Sequence, residues 1–118
     1  MHRAEYQLST QGECDVIDLT DQLRETVANA DVSDGMAHIF TPGATAGVTT
    51  LEFEPGCVAD LKAALERVAP RHGDYEHNRR WGDGNGFSHI RAALLGPSLS
   101  VPVAAGVPLL GTWQQVVL

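Results

Sequence analysis

The chain has 118 residues, enough for one domain with a modest core. Its formal net charge is -7, from 15 acids against 8 basic residues, a field that repels phosphate backbones and excludes nucleic acid as the expected partner. With 43% hydrophobic residues the composition is globular rather than disordered, and no apolar run approaches bilayer length.

The opening MHRAEYQLST is polar and does not resemble a signal peptide. Cys14 and Cys57 form no C-x-x-C pair, which argues against a zinc ribbon or a thioredoxin-type site. Together these features predict a cytoplasmic protein with reduced thiols and no membrane partner.

In chain order, residues 3–10 alternate loosely and read as a strand. Gln11 and Gly12 turn the chain, and residues 14–19 read as a second strand, giving an opening hairpin. Asp18 or Thr20 can cap an amphipathic helix carrying Leu19, Leu23, Val27 and Ala30, which ends near Asn29. Residues 36–41 read as a buried strand containing His38, whose simplest role is packing.

Residues 41–47 form a small-residue loop. Its exposed N–H groups, with Thr45 among them, can approach a phosphate, although a plain turn is the simpler reading. Residues 48–53 predict a strand with Glu52 near its end. Pro55 suits the first position of a second helix, with Val58, Leu61, Leu65 and Val68 as its stripe and Pro70 as its stop.

Residues 71–86 have no apolar period and carry Tyr75, His77, Trp81, Asp83 and Asn85. A long irregular stretch inside a small domain is expected to be functional or mobile. Ser88 can cap a short helix over 89–95, closed by Gly96 and Pro97. Residues 99–103, 107–110 and 112–118 read as strands, with a turn at Ala105 and Gly106. The predicted class is α+β: one domain over residues 1–118, a mostly antiparallel sheet, two main helices and one short helix. So short a chain must cover the sheet's other face somewhere, and a subunit interface is the expected place. The chain stops inside an apolar run, so a longer natural C-terminus is one expectation and pairing of the last residues with a neighbouring subunit is the other.

The segments TTLEFEPG (49–56), YEHN (75–78), GNGFSHIRAALLGPSLSVPV (84–103) and LGTWQ (110–114) occur in this order, after an IDLT step at 17–20. In combination they resemble the secondary thiamine-phosphate synthase family, the YjbQ-like proteins, over nearly the whole chain. The resemblance implies an α+β homotrimer with sites near subunit boundaries and a divalent metal, zinc or magnesium. It implies His77 and His89 as metal ligands, and Glu52, Asp83 and Asn85 as catalytic candidates.

The reaction it implies joins a hydroxymethylpyrimidine diphosphate to a thiazole phosphate and releases pyrophosphate. Thr45, Arg79, Arg80 and Arg91 are then candidates for holding phosphate oxygens, and Trp81 for stacking on a pyrimidine. A trimeric protein that binds a small phosphorylated ligand without turnover, or a metal-dependent hydrolase, would use the same residues. At two positions where the family pattern carries histidine, this chain has Gly43 and Gly82.

Overall fold

The computed structural model describes residues 1–12 and 14–118. The fold is α+β, with antiparallel sheets and four helices. In order, these are α1 (Thr20–Asn29), β1 (Gly35–Phe40), β2 (Thr49–Leu51), α2 (Pro55–Val68), α3 (Glu76–Trp81), α4 (Gly86–Leu95), β3 (Ser98–Ala104), β4 (Val107–Pro108) and β5 (Gln115–Val117).

Two small sheets form in place of the single sheet expected. One has the order β1-β3-β4 and the other pairs β2 with β5, all antiparallel. The split follows from the connection after β1. Thr41 N–H bonds to the Pro97 carbonyl and Val48 N–H to the Gly96 carbonyl. The chain is therefore tied across the start of β3, and β2 emerges beside β5.

The core is a cluster of Leu23 and Val27 from α1, Val48, Val101 and Val103 from β3, and Val116 from β5, ringed by Leu19, Ala37, Ile39, Leu99, Leu110 and Leu118. Burying a side chain of this size stabilises by about 1.5–3 kcal/mol. Thr20 is the one buried hydroxyl in that region among the described residues. Its Oγ1 donates to Asp18 Oδ1 (2.6 Å) and accepts from Val116 N–H (3.0 Å). Asp18 also accepts from Thr20 N–H (2.9 Å), so the start of α1 is locked to the last strand.

The opening hairpin does not form. Residues 1–12 carry no strand, and Tyr6 instead reaches Thr26 Oγ1 (2.7 Å) and Gln22 O (3.2 Å) on α1. Alternation tells which face of a segment can be covered, not what covers it. The second half of the expected hairpin pairs with β5, through Ile17, Leu19 and the Asp18–Val117 bridge.

The strand expected to be buried, β1, is covered on one face only. Ala37 and Ile39 face the core, while Met36 and Phe40 are 63% and 59% exposed. The α2 stripe is likewise only half-buried, and Val68 is exposed. Helix α2 starts as expected with Pro55 at its head, and Glu54 caps it by accepting from Gly56 and Cys57 N–H.

Residues 71–86 are not irregular throughout, because α3 forms inside them. Its helix ends at Gly82, which sits at φ 71, a conformation that glycine adopts without strain. Helix α4 begins at Gly86, with Asn85 rather than Ser88 at the cap position. Ala105 and Gly106 both have positive φ, as a two-residue type I′ turn between β3 and β4 requires.

Candidate functional site

The site lies at the junction of α3 and α4. Each residue of YEHN has a separate job there. The Tyr75 hydroxyl donates to the Pro70 carbonyl (2.7 Å) and fixes the entry to α3. Glu76 pairs with Arg79. Asn78 Oδ1 accepts from Gly86 N–H (2.9 Å) and so ties α3 to the first turn of α4. His77 is the residue left to face the junction.

The two helices approach closely where Gly86 sits. A Cβ there would stand 2.8 Å from Tyr75 Cβ and 2.9 Å from Asn78 Oδ1. Real Cβ atoms do not sit that close, so only glycine permits this crossing.

His77 and His89 converge across the junction. Their ring centroids are 4.5 Å apart and the rings meet edge to face at 63°. His77 Nε2 lies 3.1 Å from Asp83 Oδ1 and 2.9 Å from the Asn85 side-chain amide. His89 Nδ1 lies 3.1 Å from the Ala44 carbonyl, which can only accept. The proton of neutral His89 is therefore on Nδ1, and Nε2 keeps its lone pair for a ligand. The same bond fastens the 41–47 loop to α4.

Among the described residues, no group of three or more His, Cys, Asp and Glu side chains is arranged to hold a metal ion. The third donor beside His77 and Asp83 is an amide. The amide atom facing inward from Asn85 stands 2.9 Å from His77 Nε2, and 3.0 and 3.2 Å from the two Asp83 oxygens. With Nδ2 as that atom, the amide donates to Asp83 and His77, and the three side chains close one hydrogen-bonded cluster.

The other expected residues are placed elsewhere. Glu52 is exposed just past β2, and no hydrogen bond or ion pair joins it to either histidine among the described residues. Arg79 is engaged by Asp74 and Glu76. Hydrogen bonds to Glu76 and then Asp74 hold its pKa above the ordinary guanidinium value, and its bond and charge hold the Glu76 carboxyl below the usual carboxylate range. Arg80 has no ion pair among the described residues, and Trp81 is 71% exposed at the end of α3.

Arg91 is buried. Its Nε donates to the Ala69 carbonyl (2.9 Å), Nη2 to Glu66 (2.6 Å), and its guanidinium lies over the Phe87 ring at 4.9 Å. It holds α4 against α2. Thr45 and Ser88 line a cavity of about 380 Å³ with Leu61, Leu65, Phe87 and Leu95. His38 is exposed and bonds Ser100 Oγ (2.9 Å) across the β1–β3 ladder, a local pairing apart from the site. The roles of Ala44 O, Asn78 and Tyr75 were not assigned from sequence.

The UPF0047 protein YjbQ-like family model matches residues 4–118. A UPF0047 protein of Mycobacterium bovis is 43% identical over 103 residues, covering 87% of this chain and 78% of the relative. One from Archaeoglobus fulgidus is 36% identical over 112 residues, covering 95% and 85%. The crystal structure of a YbjQ-like protein of unknown function from Sulfolobus solfataricus P2 superposes with TM-score 0.86 at 26% identity, covering 92% of this chain and 78% of that one. A yjbq/upf0047 family protein from Clostridium acetobutylicum gives TM-score 0.83 at 36% identity, covering 92% and 83%. With its fold, its paired imidazoles and these matches, the chain belongs to the UPF0047 YjbQ-like family.

Proposed function

We propose that the His77–His89 junction joins a hydroxymethylpyrimidine diphosphate to a thiazole phosphate, making thiamine phosphate and releasing pyrophosphate. The observation that carries this reading is the meeting of the two imidazoles at 4.5 Å, with His77 oriented by Asp83 and Asn85 and His89 by the Ala44 carbonyl. In the reaction a carbon–nitrogen bond forms at the thiazole nitrogen. The carbon–oxygen bond to pyrophosphate breaks, and pyrophosphate leaves with the electron pair.

Charge accumulates on the leaving oxygens, so donors held still beside them stabilise the transition state. With a second proton, as an imidazolium, His89 donates from Nε2 to an oxygen of that group while Nδ1 keeps its bond to the Ala44 carbonyl. Asp83 and Asn85 keep the His77 ring from turning away. Copies of the chain associate through the outer face of β1 and β3 as a homotrimer, a reading supported by the exposure of Met36 and Phe40 there.

The test supplies both precursors and a magnesium salt and follows thiamine phosphate. His89→Gln should lower turnover by about 100-fold or more. Unchanged turnover in both His89→Gln and His77→Gln would remove the junction from the reaction.

A second reading is binding of a phosphorylated ligand at the same junction without turnover. Under either reading Arg79 and Arg91 are left to their own chain's acids and do not hold the phosphate. Under the second, thiamine phosphate raises the melting temperature while the precursors yield no product.

A further inference from the structure

Strands β1, β3 and β4 contain no Asp, Glu, Lys or Arg. On their outer face the register sets Met36 opposite Pro102, His38 opposite Ser100 and Phe40 opposite Ser98. Met36 and Phe40, with Val107 and Leu109 at the β4 side, are each more than half exposed. The chain as a whole carries a formal charge of -7, so two copies repel over most of their surfaces. A face without acids is where like-charged copies can meet, and a basic partner would find nothing on it to pair with. That selects a second copy of the chain as its occupant.

At the centre of the face stands the one titratable side chain of the three strands, His38. It is exposed, and its Nδ1 lies 2.9 Å from Ser100 Oγ. Its other neighbours on the face are Met36 and Phe40 on β1 and Ser98 and Pro102 on β3, none of which ionises. In the sheet β1 has only β3 beside it. Among the described residues no hydrogen bond or ion pair joins His38 to an acid. The nearest acid along the chain, Asp34, precedes the strand and accepts from Ser33 Oγ (3.4 Å). Four residues of extended chain separate it from His38 by about 13 Å, beyond the screening length at physiological salt.

A neutral imidazole bonded to a serine hydroxyl can be covered by an apolar surface. An imidazolium in the same place is a charge without a carboxylate, and loss of water disfavours it. Protons and partner chains therefore compete for His38. We infer that His38 makes association pH-dependent: copies meet on this face while the ring is neutral and separate when it takes up a proton. The association is complete above the ordinary histidine range and is lost as pH falls through about 6.5. Every His38 covered adds up to about tenfold loss of association per pH unit below that point. This inference rests on the proposed association, not on the proposed reaction.

The test follows the mass of the full chain by sedimentation equilibrium at about pH 8 and about pH 5.5. Circular dichroism reports whether the chain stays folded. The wild type should be an assembly at the higher pH and a folded single chain at the lower. His38→Gln and His38→Phe cannot take up the proton and should stay assembled at both. Phe40→Glu, which charges the same face, should be a single chain at both.

A wild type assembled at both pH values overturns the inference and leaves the proposed association standing. A wild type that is a single chain at both overturns the association and the inference with it. Dissociation of both His38 variants at the lower pH assigns the switch to another group and overturns the inference. So does single-chain behaviour of both at the higher pH, because His38 then holds the assembly together rather than releasing it. An assembled Phe40→Glu protein, or a wild type that unfolds at the lower pH, overturns it as well.

Discussion

The α3–α4 junction and the outer face of the β1–β3–β4 sheet are opposite in character. At the junction, the groups that meet come from one chain and are paired there: His77 with Asp83 and Asn85, Asn78 with Gly86, His89 with Ala44. On the sheet, Met36 and Phe40 stand outward at 63% and 59% exposure, and Val107 and Leu109 of the β4 region at 55% each. The cross-strand partner of Met36 is Pro102, which is also exposed. Polar groups can be satisfied locally, over a few ångströms. Apolar area is satisfied only by another surface of matching size, and a short chain has little of that to spare.

The contrast can be broken from either side. The largest effect is expected at the junction itself, where His89→Gln should reduce thiamine phosphate formation by about 100-fold while leaving the melting temperature within a few degrees. On the sheet, Phe40→Glu should shift the mass in solution from an assembly to a single chain, read by light scattering. An unchanged mass would assign that face no role in association.

Next in size is Arg91→Met, which removes charge-assisted bonds to Ala69 O and Glu66 while keeping much of the volume. It should cost about 1.5–3 kcal/mol in denaturant unfolding. A cost near zero would mean that α4 is held on α2 by apolar contact alone.

The smallest effect is expected from the exposed pair on α3. Arg79 holds the Glu76 pKa down. A depressed carboxyl contributes stability above its unfolded value, and the contribution disappears as pH falls through the lower folded value. Arg79→Ala should therefore return the Glu76 titration toward the ordinary 4.5, seen by carboxyl NMR. Because the pair lies at the surface, with side chains 51% and 89% exposed, the melting temperature should hardly move.

Parts of both regions were legible in the residues. The spacing of Leu23 and Val27, Pro55 after Glu54, and the turn at Ala105 and Gly106 are local signals, and the elements they announce are present. Helix α3 was hidden because EHNRRW has no apolar stripe. It is held by side-chain bonds to groups just outside it, Tyr75 to the Pro70 carbonyl and Asn78 to Gly86 N–H, which apolar periodicity does not display. The opening strand was misread for a related reason: the Tyr6 hydroxyl finds α1 rather than a neighbouring strand.

At the site, the motif order brought His77 and His89 forward as a pair. Asp83 and Asn85, expected as catalytic groups, sit against His77. The arginines were harder to place. Asp74 and Glu76 lie close to Arg79 in sequence, but Glu66 reaches Arg91 only because α2 and α4 pack together.

The central claim is that two imidazoles from α3 and α4 meet at one ligand position. It is tested most directly by nitrogen-15 NMR of the five histidine side chains during titration with magnesium and pyrophosphate. The account predicts that His77 and His89 shift together and saturate at one concentration, and that His89 carries its proton on Nδ1 in the free protein. Shifts confined to His2, His38 or His72, with His77 and His89 unmoved, would contradict it.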